Sequence, residues 1–308
     1  MKVIHAAADL QNADSRPVSA AIGVFDGMHL GHQRVLEQVL FDAKKAGGMS
    51  VAVTFDRHPN ATVAPEKTPP LIYPLFKKLE VLASLGLDAA WVIRFDKEFS
   101  QIPGEQFVRD LARDFGRMAS VCVGPDFMFG YRRSGNVALL KELGSQLGFI
   151  AHAVPDVELK GQPVSSTRIR DFVRAGDFGA ASQMLGRAYG LCGIVIEGEH
   201  LGRKLGFPTA NLDTTGLVTP PNGVYVADAK VGGKRWRAAV NIGHRPTIHS
   251  KDPQLHVEAH LLDFDQKIVG RELELVFLKK LREEKKFPSL EALSRQIAED
   301  VKQARDFF

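Results

Sequence analysis

The chain has 308 residues, enough for two ordinary domains, and its 44% hydrophobic and 25% charged residues give the balance of a soluble globular protein. The formal net charge is +4 and the Lys and Arg are spread rather than massed in a basic arm, which argues against a nucleic-acid binder and suits small phosphorylated ligands. The opening MKVIHAAADLQNADSR has no apolar core long enough for a signal peptide, and no segment approaches the roughly 20 apolar residues that span a bilayer, so a cytoplasmic protein is expected. In chain order, VSAAIGV (18–24) reads as a strand. HQRVLEQVLFDAKKAGG then sets Val35, Leu36, Val39, Leu40 and Ala43 on one helical face and stops at Gly47 and Gly48. SVAVTF (50–55) is the next strand, and a loop rich in proline leads to a helix around 75–85. AAWVIRF (89–95) is a third strand, and 104–116 is a helix with Phe107, Val108, Leu111 and Phe115 inward. ASVCVG (119–124) and FIAHAV (149–154) are two more strands around a helix near 136–147.

Repeated strand–helix alternation with near-continuous apolar strands implies a parallel sheet covered on both faces, with ligands at the carboxyl ends of its strands. Three motif-bearing stretches, 24–32, 56–59 and 124–130, follow such ends, which points to one site. The segment 172–188 reads as a helical connection. Beyond about residue 187 the rhythm changes to consecutive strands separated by Gly, Pro and Asp turns, closed by one helix at 289–306 with Leu290, Leu293, Ile297 and Val301 at helical spacing. That pattern predicts an antiparallel β-barrel. The expected fold class is α/β plus β, with domains at 1–186 and 187–308. Cys122 and Cys192 lie far apart in apolar stretches with no metal spacing, and buried reduced thiols are expected.

In GVFDGMHLGHQ (23–33), Gly23, Gly27 and Gly31 let the backbone approach a ligand at a strand-to-helix turn. A helix N-terminus offers free N–H groups and a positive dipole end. His29 and His32, one helical turn apart, then suit hydrogen bonds to a triphosphate; two polar residues at a helix start is the plainer alternative, and zinc lacks further ligands beyond His58. In VSSTRIRDF (164–172), Ser165, Ser166 and Thr167 stand at a helix start ahead of Arg168 and Arg170, either as an N-cap with solvated arginines or as partners for the same phosphates. In GEHLGRKLGFPTANL (198–212), Gly198, Gly202 and Gly206 suggest a mobile flap over phosphates, or simply a Gly-rich turn between barrel strands. Thr209 and Asn211 put two oxygen ligands on one side of an extended chain, as Mg²⁺ prefers.

The pairing of FDGMHLGH with SSTRIR resembles the nucleotidyltransferase superfamily. TFDRHP (54–59) resembles the T-F-x-P-x-P segment of bacterial FAD synthetases, departing from it at Arg57, and VGPDFMFGYRRSGN (123–136) resembles their G-x-D-F-x-F-G motif. GRKLGFPTAN closely resembles the riboflavin kinase signature, and NIGHRPT (241–247), HVEAHLLDF (256–264) and LREEKKF (281–287) resemble three further segments of that domain. DQKIVG (265–270) replaces the family's D-L-Y-G, a change expected to affect a turn or flap and not the base.

Nearly the whole chain thus resembles the bacterial bifunctional riboflavin kinase/FMN adenylyltransferases, the FAD synthetases of prokaryotes. The resemblance implies a Rossmann-like nucleotidyltransferase domain followed by a riboflavin kinase barrel, with riboflavin, FMN, FAD and ATP as ligands and Mg²⁺ as cofactor. No nucleic-acid or membrane partner is implied, and a monomer or transient homo-oligomer is expected.

The resemblance also assigns residues. Glu258 is the kinase base, and His29, His32 and Arg170 act in adenylyl transfer. ATP is held by Gly23, Phe25, Asp26, Gly27, Gly31, Ser165, Ser166, Thr167 and Arg168 in one domain, and by Gly198, Gly202, Arg203, Lys204 and Gly206 in the other. Flavin meets Phe55, His58, Pro59, Asp126, Phe127, Phe129, Arg282 and Phe287. Thr209 and Asn211 hold Mg²⁺, with Asp126 a further metal candidate. Residue pattern alone leaves Phe127 and Phe129 open between core packing and a flavin wall. The same pattern leaves two other readings in play: one retained activity, or a flavin-nucleotide-binding regulator without turnover.

Overall fold

Apolar runs become strands and amphipathic stretches become helices in the computed structural model, which describes residues 1–6, 8–11, 16–198, 201–245 and 254–308. The elements run β1 (Lys2–Ile4), α1 (Ala8–Gln11), β2 (Val18–Ile22), α2 (Leu30–Ala46), β3 (Met49–Phe55), α3 (Asn60–Val63), α4 (Leu75–Ser84), β4 (Ala89–Ile93), α5 (Gly104–Phe115), β5 (Met118–Val123), α6 (Val137–Leu147) and β6 (Ile150–Ala153). A small hairpin of β7 (Glu158–Leu159) and β8 (Gln162–Pro163) precedes α7 (Ser166–Ala175) and α8 (Phe178–Leu185). Then come β9 (Gly190–Ile196), α9 (Leu201–Lys204), β10 (Ala210–Leu212), β11 (Gly223–Val231), β12 (Lys234–Arg245), β13 (Gln254–Leu261), β14 (Glu272–Arg282) and α10 (Leu290–Phe307). By contact density the chain forms two compact units, Met1–Leu71 with Leu75–Ser166, and Ile72–Pro74 with Thr167–Phe308.

The first unit holds a six-stranded sheet in the order β1-β4-β3-β2-β5-β6, parallel throughout. The order reverses direction between β2 and β5, the switch point where sheets of this kind open a crevice at their carboxyl edge. Because β3, β2 and β5 are neighbours, the three motif-bearing loops leave the sheet side by side. Every residue of β2 and β3 is buried, as a sheet covered on both faces requires. Ala90, Ala52, Ala21 and Cys122 are in register across four strands, and this row of small side chains packs with Val35, Leu36 and Val39 of α2 and Val81 and Leu82 of α4. The alternate residues Ala20, Ile22, Val51 and Val53 pack with Phe107, Val108 and Leu111 of α5 and Leu140 and Leu143 of α6. Leu40, expected inward, is only partly buried at the flank of α2. Gly47 ends α2 in the left-handed region (φ 59°), where a Cβ is unfavourable.

The helical connection expected at 172–188 consists of two helices, the first beginning at Ser166, within the hydroxyl run read as a helix start. Gly176 (φ 75°) breaks the chain after α7, and Asp177 caps α8 by accepting from the Ala180 N–H at 2.9 Å. In the second unit the strands close into an antiparallel barrel, β10-β13-β12-β11-β14-β9. Val301 and Ala304 of α10 pack on Val226, Ala239 and Leu262. Cys122 and Cys192 are both buried thiols.

Candidate active sites

The turn after β2 is built from unusual backbone. Phe25 (φ 53°), Gly27 (φ 75°) and Met28 (φ 47°) all occupy the left-handed region, which costs on the order of 1–3 kcal/mol for each non-glycine residue unless the surroundings enforce it. The enforcement is visible: Phe25 is 2% and Met28 0% exposed, and a Cβ at Gly23 would come within 2.9 Å of the Phe25 ring. Asp26, in the middle of the turn, is buried, and its carbonyl accepts from the Ser166 hydroxyl at 2.9 Å.

His29 is the N-cap of α2, its Nδ1 accepting the His32 backbone N–H at 3.3 Å. With Nδ1 used as an acceptor, the neutral ring carries its proton on Nε2. The rings of His29 and His32 stack at 3.6 Å between centroids and 17° between planes, and the edge of Phe25 abuts His32 at 5.3 Å. A Cβ at Gly31 would press on the His29 ring at 3.2 Å. The two histidines therefore form one stacked unit at the N-terminus of a long helix. Among the described residues no group of three or more His, Cys, Asp or Glu is placed to hold a metal ion. Arg170 is buried on α7.

The loop after β3 starts from Phe55, which is buried against Phe95 and Phe99. Arg57, the departure from the T-F-x-P-x-P pattern, is exposed and pairs with Asp56 at 2.9 Å. Burial works to raise the Asp56 carboxyl, but hydrogen bonds from Arg57 and from the Phe95 N–H hold it below the usual carboxylate range. His58 Nδ1 accepts the Asn60 N–H at 3.1 Å, and Pro59 leads into α3. In the loop after β5, Phe129 is sunk into the core beside Phe107, Phe127 stacks on it at 5.4 Å and stays half-buried, and Asp126 is exposed.

Sequence reasoning missed Lys78 of α4. It is 7% exposed, and its ammonium donates to the Val24 carbonyl, the Thr54 hydroxyl and the Phe55 carbonyl. The available signal was a lysine sharing the inward face with Val81 and Leu82, three and four residues on.

In the barrel, Glu258 of β13 is in register with Asn211 of β10 on one side and Asn241 of β12 on the other, so the three form a row across three strands. Glu258 lines a cavity of about 380 Å³ together with Thr209, Asn241, Arg282, Phe287 and Asp300. A second cavity of about 760 Å³ is lined by Thr209, Asn211, Gly198, Arg203 and residues 265–269. Thr209 belongs to both. A Cβ at Gly198 would collide with the Asn211 amide, and one at Gly202 would crowd the Phe207 carbonyl and Thr209 Oγ1, so these glycines permit close approach. Arg203 and Lys204 end the single turn of α9 and are exposed, and Gly206 (φ 87°) turns the chain back toward β10. Glu199 and His200 of this stretch, and Pro246 and Thr247 of NIGHRPT, lie outside the described residues.

Arg282 makes a two-pronged ion pair with Asp300 of α10 (2.9 and 2.7 Å), and Gln296 donates to the same carboxylate at 2.9 Å. The guanidinium lies 5.8 Å from the Phe287 ring centroid. Asp300 was also missed by sequence reasoning; a carboxylate on the apolar face with Val301 and Ala304 was the signal.

Residues 11–168 match the family described as FAD synthetase, and residues 185–308 match the family described as riboflavin kinase. The chain is 37% identical over 95% of its length to the bifunctional riboflavin kinase/FMN adenylyltransferase of Pseudomonas fluorescens, covering 93% of that protein. The chain belongs to this bifunctional family. It is also 35% identical over 100% of its length to the protein of the same description from Escherichia coli K12, covering 98% of it. Among solved structures, that of a macrolide-efflux protein from Streptococcus pneumoniae superposes with a TM-score of 0.79 at 26% identity, covering 98% of each chain. That description attaches to the neighbour; among the described residues no helix is long and apolar enough to cross a membrane. Most of α7 and most of α8 fall between the two family matches.

Proposed function

We propose that the two reactions of the family divide between the two sites of this chain. As a family member the chain is a transferase of FAD biosynthesis: riboflavin and ATP give FMN and ADP, then FMN and a second ATP give FAD and pyrophosphate. The adenylyl transfer is assigned to 1–186 and the kinase to 187–308. What carries the kinase assignment is that Thr209 lines both barrel cavities, so an alcohol in the smaller one meets a triphosphate in the larger one beside Glu258. Glu258 takes the ribityl hydroxyl proton as that oxygen attacks the γ-phosphate. Arg282 and Phe287 hold the flavin.

Thr209 Oγ1 and the Asn211 amide oxygen are hard donors on one side of the chain at the same cavity, a set that fits Mg²⁺. The ion supplies charge neutralisation on the phosphates when bound. Gly198, Gly202, Arg203, Lys204 and Gly206 border the nucleotide.

In adenylyl transfer the FMN phosphate is already an anionic nucleophile, so alignment and charge neutralisation replace a strong base. The stacked His29 and His32 donate to the ATP phosphates from the helix N-terminus, with Ser165 and Ser166 as further partners. Gly23, Phe25, Asp26, Gly27 and Gly31 shape the nucleotide turn. His58, Pro59, Asp126 and Phe127 meet the flavin, and the buried Phe55 and Phe129 back them. The protein works in the cytoplasm as a monomer or transient homo-oligomer, without nucleic acid or membrane.

Incubation with riboflavin, ATP and Mg²⁺ followed by chromatography tests the whole reading. FMN and then FAD are expected. FMN alone leaves only the kinase standing, and flavin binding without release of ADP or pyrophosphate replaces the enzyme with a regulator.

Asp300→Asn weakens the clamp on Arg282 without removing volume. It is expected to raise the KM for riboflavin about tenfold, equivalent to about 1.4 kcal/mol, with little change in kcat. An unchanged KM removes Asp300 from flavin binding.

A further inference from the structure

A lysine at a core position of a helix is costly unless its charge finds acceptors. For packing alone, methionine or leucine would fill the site of Lys78 with no such cost. Instead the ammonium meets oxygens from the end of β3 and from the segment that follows β2. It donates to the Val24 carbonyl at 3.1 Å, to the Thr54 hydroxyl at 3.0 Å and to the Phe55 carbonyl at 2.9 Å. The Thr54 hydroxyl in turn donates to the same Val24 carbonyl at 3.2 Å.

Two of the three acceptors are boundary residues. Val24 is the last residue before the left-handed turn of Phe25, Gly27 and Met28 that delivers His29 to the start of α2. Phe55 is the last residue of β3 before Asp56–Pro59. One cation therefore fastens the phosphate-side turn to the flavin-side loop at the carboxyl edge of two adjacent strands.

We propose that Lys78, in its ammonium form, is a positioning residue for adenylyl transfer that holds the Phe25–His29 turn and the Phe55–Pro59 loop in one fixed relation. This rests on the reading that the turn at 23–32 is the adenylyl-transfer site. The three N–H donors of an ammonium match the three oxygens, whereas the neutral amine has one donor fewer and no charge.

The charge is exposed to titration at an accessible pH. Burial pulls Lys78 down from 10.5 to about 8, while Asp26 in the turn and Asp56 in the loop act to keep it charged. On its own helix the neighbouring Lys77 is paired with Glu80 at 3.0 Å, and Arg57 is paired with Asp56. Burial pushes the Cys122 thiol well above its ordinary value, out of this range.

The signs for stability and activity are opposite. The folded pKa lies below the unfolded one, so the charged lysine opposes folding below about pH 8, and that penalty is relieved as pH rises from about 8 to 10.5. Adenylyl transfer falls as pH rises through about 8, because the ammonium is lost from the folded protein there. A residue that only supported the fold would not lower kcat while its own contribution to stability improved.

The test follows FMN adenylylation in the full-length protein between pH 6.5 and 10 (about the range in which lysines and thiols titrate), with riboflavin phosphorylation and thermal melting measured alongside. Wild-type protein is expected to lose adenylylation kcat as pH rises through about 8. Lys78→Met is expected to lower that kcat on the order of 10- to 100-fold at pH 7.5, to abolish the alkaline limb and to leave the kinase within about twofold. Thr54→Val keeps the lysine and removes one acceptor; its limb is expected to move to lower pH with a smaller loss of kcat, and it decides the matter if Lys78→Met does not fold. A folded Lys78→Met with kcat within twofold of wild type, or a Thr54→Val limb that does not move, overturns the proposal. The double variant His29→Asn/His32→Ala separates the two levels. If it keeps full FAD synthesis, the site assignment fails; if it loses FAD synthesis while Lys78→Met does not, only the role of Lys78 fails.

Discussion

Replacing Glu258 by Ala is expected to abolish FMN formation while FAD synthesis from supplied FMN continues within about twofold. General-base removal costs on the order of 10²- to 10⁴-fold, and no other carboxylate shares the row with Asn211 and Asn241. The substitution leaves a strand residue in a closed barrel, with Val257 and Ala259 on either side still buried, so the fold should persist. Chromatography of riboflavin- and FMN-fed reactions measures the two steps separately. Loss of both activities in a variant that melts like wild type would remove the two-site division.

Replacing His29 and His32 together by Ala is expected to cut adenylyl transfer by about 10²- to 10³-fold, the scale of losing prearranged donors to developing charge, and to spare the kinase. His29 also caps α2, and loss of an N-cap costs about 1 kcal/mol. His29→Asn resolves the two roles, because asparagine restores the cap but not the imidazole. It should recover thermal stability and not FAD synthesis. Unchanged FAD yield in the double alanine variant rejects the phosphate role.

The strands and helices at 18–55 and 89–154 were legible because an apolar run or a helical stripe is a local property of the chain. The three-residue β1 was not, since it is too short to show a period. The connection before the barrel was legible as helical, but its division into α7 and α8 was not, because the break at Gly176 is a backbone event at a positive φ and not a change of pattern. Leu40 and Phe129 show the same limit from the packing side. Which of several apolar residues is fully covered depends on neighbours that the local pattern does not name.

The active-site residues divide in the same way. The histidine pair, the barrel glycines, Thr209, Asn211 and Glu258 stand in motifs and could be named from the chain. Their relations could not. That Glu258 lies between Asn211 and Asn241 follows from pairing β13 with both β10 and β12. That Thr209 borders two cavities follows from how the barrel closes.

Lys78 and Asp300 were hidden for one further reason. Each is a single charge on an apolar helix face, and its meaning lies in partners distant in sequence: Val24, Thr54 and Phe55 for Lys78, and Arg282 for Asp300. The sequence by itself determined the two fold types, their order and the chemistry on offer, because periodicity and motif residues are carried within a few turns of chain. Only the tertiary structure decided which strands are neighbours and which buried charges meet, because those contacts are long-range and fixed by the packing of the whole sheet and barrel.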